Sequence, residues 1–189
     1  MKIILASQSP RRRELMSLIT DDFISLTSDV DEKQLLDGVI CSSVERCRIL
    51  AEAKARAVYA GSPDSLIIGC DTVVDVDGIL LEKPENKEEA FEMIKLLSGK
   101  IHKVYTAVSI VSSFYSASFV CETAVEFFPV SDEEAAEYVS TEEPYDKAGG
   151  YAIQGLASRF IKRIDGDYFN VVGFPVSAVY RELKRAGVI

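Results

Sequence analysis

The chain has 189 residues, 48% of them hydrophobic, and carries 30 acidic against 21 basic side chains for a formal net charge of -9. That length is enough to bury a sizeable core and predicts one domain, of one or two lobes. The charge excludes a broad basic face for polymeric nucleic acid, and no stretch approaches the roughly eighteen apolar residues of a membrane span.

Cys41, Cys47, Cys70 and Cys121 form no CxxC pair and no ligand spacing with the single histidine, so neither a zinc site nor a disulfide framework is indicated. The apolar run after Lys2 is too short for a signal peptide, and a cytoplasmic protein with reduced thiols is the expectation. A small polyanion is still compatible with the acidic balance. A few basic residues in one cleft, helped by a divalent cation, reverse the local field.

In chain order, Lys2 to Ala6 reads as a short buried strand, and Ser9-Pro10 starts a helix with Ser as N-cap and Pro at the first helical position. Val44, Cys47, Leu50, Ala51 and Val58 recur at helical spacing and predict an amphipathic helix from Val44 to Tyr59, broken by Gly61-Ser62-Pro63. Leu66 to Cys70 is a buried strand. Asn86 with Glu89, and Ser131 with Glu134, are capping signals for helices ending near Gly99 and Ser140. Between these helices, Val104 to Ser112 and Ser118 to Phe128 predict long strands from their β-branched and aromatic content. Shorter strands are expected over Phe160 to Ile164 and Tyr168 to Val172, around an Asp165-Gly166 turn, and Pro175 opens a last helix closed by Gly187. Helices interleaved with a mixed, twisted sheet make the fold α/β.

The segment Ser7-Gln8-Ser9-Pro10-Arg11-Arg12-Arg13 could converge free backbone N–H groups, the helix dipole, two hydroxyls and guanidinium groups on one anion. Read alone it is better taken as an ordinary Ser-Pro helix start with a solvated basic turn. Cations in a first helical turn nevertheless oppose the macrodipole, which points to an anion there. Asp71 directly after its strand is placed to hold a metal or activate water, or simply to cap a turn. Glu32 and Lys83 taken singly read as solvated charges, and Lys54 as a snorkelling lysine. Asp146-Lys147-Ala148-Gly149-Gly150-Tyr151-Ala152-Ile153-Gln154-Gly155 reads either as a loop that lets Gln154 meet a base edge or as a glycine turn. His102 reads as a structural or surface residue, which leaves Ser-His-Asp and Cys-His catalysis without support. No GxGxxG or P-loop is present. Val73-Val74-Asp75-Val76-Asp77-Gly78 resembles the aspartyl-phosphate loop of haloacid-dehalogenase-type phosphatases, with Asp75 as nucleophile and Asp77 as acid. However, Ile79 stands where that loop has Thr, and Asp77-Gly78 has the form of a hairpin turn.

Taken together and in order, Ser7-Gln8-Ser9-Pro10-Arg11-Arg12, Asp31-Glu32, Lys54-Ala55, Gly69-Cys70-Asp71-Thr72, Lys83-Pro84, Asp146-Lys147-Ala148-Gly149 and Ile153-Gln154-Gly155 resemble the Maf family of nucleotide pyrophosphatases. The resemblance covers most of the chain. It implies two lobes around a cleft, an architecture related to inosine triphosphatases, a commonly dimeric state, and hydrolysis of a nucleoside triphosphate to monophosphate and pyrophosphate with Mg or Mn. It implies metal binding by Glu32 and Asp71, with Asp71 as general base. Ser7, Ser9, Arg12, Lys54 and Lys83 are implied as phosphate contacts, and Arg11, Thr72 and Gln154 as specificity residues resembling the dTTP and UTP branch. The family also carries an association with arrest of septum formation, so a nucleotide-binding regulator with little turnover is the rival expectation.

Overall fold

The computed structural model describes residues 1–189, and the chain runs β1 (Ile3–Ala6), α1 (Pro10–Ser17), β2 (Phe23–Leu26), α2 (Glu32–Leu35), α3 (Ser43–Ala60), β3 (Leu66–Val76), β4 (Ile79–Leu81), α4 (Lys87–Leu97), β5 (Ile101–Val111), β6 (Ser116–Phe127), α5 (Asp132–Tyr138), β7 (Ile161–Asp165), α6 (Tyr168–Val172) and α7 (Val176–Arg185). One sheet has the strand order β2-β1-β3-β5-β6-β7, with β4 paired to β3. Strand β1 is parallel to both β2 and β3, in a register that sets Ala6 against Leu26 and Gly69. The β3–β4 and β6–β7 pairs are antiparallel, so the sheet is mixed and the fold α/β as the sequence predicts. No helix is long and apolar enough to cross a membrane.

Local chemistry explains most boundaries. Ser9 caps α1 by accepting from Arg12 N–H, with Pro10 at the first helical position. Ser42 with Glu45 and Ser131 with Glu134 form full capping boxes on α3 and α5. Asn86 accepts from Glu89 N–H at 2.8 Å, but the Glu89 carboxylate turns one residue further and accepts from Glu85 N–H, so α4 has half a box.

The chain divides into two compact units. The first comprises residues 1–71, 106–121 and 173–189, and the second residues 72–105 and 122–172. In the first, Ile4, Ala6, Ala55, Val58, Ile67 and Val111 form a buried cluster in which α3 lies against β1 and β3. Gly69 makes that contact close: a Cβ there would fall 2.3 Å from Ala51 O and 2.7 Å from Ala55 N. The second unit has its own core, in which Ile94 and Leu97 of α4 meet Phe127, Tyr138 and Phe160.

Two expectations need correction. The segment Tyr168–Val172 is helical, not a strand. Asp167 accepts from Phe169 N–H at 2.8 Å, and the fully buried Asn170 donates to Val104 O and Thr123 Oγ1, so capping and tertiary hydrogen bonds override a β-prone sequence. Strand β3 also does not end at Cys70. It continues through Asp71 and the β-branched Thr72-Val73-Val74 to a two-residue turn at Asp77-Gly78, where φ is 56° and 81°. Asp71 therefore lies in the middle of a strand.

Candidate active site

The loop from β1 into α1 is held by a side chain of its own and by one from β2. Ser7 Oγ accepts from Ser9 N–H at 3.2 Å, and the Ser25 hydroxyl on β2 donates to Ser7 O at 2.5 Å. Arg12 turns inward: Nε donates to Gly173 O and Nη1 to Cys70 O, both at 2.9 Å, with Ser7 Oγ 3.5 Å from Nη1. One guanidinium thus ties the loop to β3 and to the segment before α7. The expectation of Arg12 as a plain phosphate ligand did not include this framing role. Arg11 is half-buried and Arg13 exposed.

Next to Cys70, the Asp71 carboxylate is buried at 8% exposure and its Oδ1 receives Lys54 Nζ at 2.7 Å. The same ammonium lies 2.8 Å from Glu32 Oε1, whose side chain is about half exposed. Lys54 reaches this position because it follows Cys47, Leu50 and Ala51 on the buried face of α3. It does not snorkel. Burial pushes the Asp71 carboxyl above its ordinary value, against the opposing pull of Lys54 and Arg12. Burial would pull the Lys54 ammonium down, but Asp71 and Glu32 together hold it above its ordinary value, so it stays charged. Asp71 is also fixed through its backbone: the Cys47 thiol donates to Asp71 O at 3.1 Å and accepts from Ala107 N–H at 3.2 Å. Burial pushes the Cys47 and Cys70 thiols up to about 12, which leaves neither a nucleophile.

The sequence motifs did not single out Cys47 or Ser25 as supports. Cys47 and Lys54 are seven residues apart, two turns of one helix face, and that spacing is the one signal that links them.

Within the first unit the fold brings together Ser7, Ser9, Arg12, Glu32, Lys54 and Asp71. Thr72, Lys83 and Gln154 belong to the second unit, Thr72 half-buried and the other two exposed. Asp75 and Asp77 serve the β3–β4 hairpin, Asp75 accepting from Gly78 N–H and Asp77 pairing with Lys100. A strand, not the helix of an aspartyl-phosphate loop, follows them. His102 is buried against Phe127 and Tyr151, with Nε2 2.8 Å from Tyr151 Oη, so of the structural and surface readings the structural one holds. Burial lowers its pKa to about 4.

Residues 2–186 match the family described as Maf-like protein. The chain is 44% identical over 187 residues to a dTTP/UTP pyrophosphatase of Bacillus velezensis, covering 99% of this chain and 97% of that one. It is 45% identical over 184 residues to a protein of the same name from Bacillus cereus strain G9842, covering 97% and 95%. Among solved structures it is similar to the Staphylococcus aureus Ham1 protein, at 14% identity and a TM-score of 0.45, over 67% of this chain and 72% of that one.

Proposed function

This chain belongs to the Maf family, and from that premise we propose that it is a nucleoside triphosphate pyrophosphatase that hydrolyses dTTP and UTP to the monophosphate and pyrophosphate. The observation that carries the reading is the buried Asp71 carboxylate, held by Lys54 beside Glu32 and one residue from the Cys70 carbonyl to which Arg12 binds. Full-length relatives named dTTP/UTP pyrophosphatase support the choice of bases. On the same reading it acts in the cytoplasm on the free nucleotide.

In this mechanism Asp71 accepts the proton of a water whose oxygen bonds to the α-phosphorus as the bond to the β-phosphate bridging oxygen breaks. Pyrophosphate then leaves. Lys54 holds its orientation, while the Ser7 and Ser9 hydroxyls, the N–H groups opening α1, Arg12 and Lys83 stabilise triphosphate oxygens. Arg11, Thr72 and Gln154 select the base.

Glu32 and Asp71 converge on one point, the Lys54 ammonium, with hard oxygen donors. Magnesium is commonly held by one or two carboxylates together with water and substrate phosphates, so this pair fits Mg or Mn as co-ligands of the triphosphate. When bound, such a cation supplies charge neutralisation on the departing pyrophosphate.

The test is a panel of nucleoside triphosphates with Mg or Mn, assayed separately for pyrophosphate and phosphate. Pyrophosphate from dTTP and UTP above all others is expected. Phosphate as the product would return the aspartyl-phosphate mechanism, binding without product would make the protein a regulator, and faster turnover of GTP derivatives would overturn the base assignment.

A further inference from the structure

Gln154 sits exposed in a turn where Gly155 N–H donates to Ala152 O at 3.1 Å. Both ends of the surrounding loop are tied to one pair of side chains. At the near end, Tyr138 Oη lies 3.1 Å from Gly150 O and 3.1 Å from Glu143 Oε1, its one proton shared between them. At the far end, Glu143 Oε2 accepts from Leu156 N–H at 2.7 Å and Oε1 from Ala157 N–H at 3.1 Å. Leu156–Phe160 is a short 3-10 turn without a capping side chain of its own, and this carboxylate takes the place of one.

The fit is tight. A Cβ on Gly155 would fall 2.2 Å from Glu143 Oε2, so only glycine lets the carboxylate reach the backbone here. Tyr138 is fully buried with its ring edge-on to Phe160 at 5.5 Å, and burial raises its hydroxyl pKa, which keeps it a donor. Two backbone N–H groups on a carboxylate are charge-assisted hydrogen bonds, roughly twice as strong as neutral ones.

We propose that Glu143, braced by Tyr138, is a positioning residue for base selection: it fixes the turn that presents Gln154 and so sets discrimination among nucleobases without touching the nucleotide. This rests on the reading of Gln154 as a base-selecting residue. A hydrogen-bonding group must be held to about 0.5 Å for its discrimination to be realised, and the ties at both ends of this loop supply that support.

The experiment compares kcat and KM for dTTP, UTP, CTP and GTP in the intact protein and in Glu143→Gln, Tyr138→Phe and Gln154→Ala. Glu143→Gln keeps the shape but turns an amide donor toward one of the two N–H groups, and Tyr138→Phe removes only the hydroxyl. Both are expected to lower the preference for dTTP over GTP about tenfold, through KM of the favoured nucleotide, with kcat at saturation within about twofold. An unchanged preference in both, with Gln154→Ala lowering it, overturns the positioning role alone. An unchanged preference in Gln154→Ala overturns the base-selection reading and the proposal with it. An equal fall in kcat for every nucleotide, tracking a lower melting temperature, shows a purely structural role and also overturns it.

Discussion

Asp71 pairs a polar function with an apolar place. Its neighbours Cys70 and Val73 are core residues, and a buried carboxylate costs several kcal/mol unless it is compensated. Compensation comes from the Lys54 hydrogen bond on the carboxylate and from the nearby charges of Lys54 and Arg12, while Cys47 and Arg12 hold the backbone carbonyls of Asp71 and Cys70. Asp71→Asn preserves the volume and a hydrogen bond from Lys54 while removing the proton acceptor. Turnover is expected to fall by about 10²- to 10⁴-fold, with nucleotide binding still detectable by calorimetry. Near-normal pyrophosphate release from this variant would remove Asp71 from the role of base. The acids and the lysine could each be named from the sequence, but their pairing could not. Glu32 and Asp71 meet on one ammonium only after α3 has crossed β3.

That crossing is a property of elements. Strand β3 offers Gly69 where α3 passes, and the missing side chain lets the helix backbone approach closely enough to set Lys54 beside the strand's acid. Gly69→Ala forces its methyl against backbone atoms that cannot yield. A loss of about 3 kcal/mol or more in denaturant unfolding is expected, with activity falling in the protein that remains folded. Wild-type stability in this variant would show that the contact between α3 and β3 is loose. Helix ends were readable because a cap acts within three or four residues, as Ser9, Asn86 and Ser131 illustrate. Helix α6 was not. Its sequence favours a strand, and Asn170 finds its partners on Val104 and Thr123, far along the chain.

Across the whole molecule, pH reads out what burial does to single groups. His102 is neutral in the folded protein down to about pH 4, against an ordinary value of 6.5. Between those values the unfolded chain binds a proton that the folded one does not, so stability is full above pH 6.5 and falls toward pH 4, by up to about 3 kcal/mol at 1.36 kcal/mol per pH unit. Asp71 acts in the opposite sense, because a carboxyl raised by burial favours folding as pH falls through its folded value. The comparison is therefore wild type against His102→Gln, which share Asp71. A shallower decline from pH 6.5 to 4 is expected in the variant, and parallel curves would show that His102 is not the source. By itself the sequence determined the mixed α/β class, most strands and helices, the family motifs and the residues that carry chemical groups, because these depend on local pattern and side-chain identity. Only the tertiary structure decided that Arg12 faces two backbone carbonyls, one of them on Gly173, 161 residues away, that Lys54 bridges two acids, and that Glu143 clasps the Gln154 turn. Each of these is a contact between segments distant in sequence, fixed by packing and by the need of buried polar groups for partners.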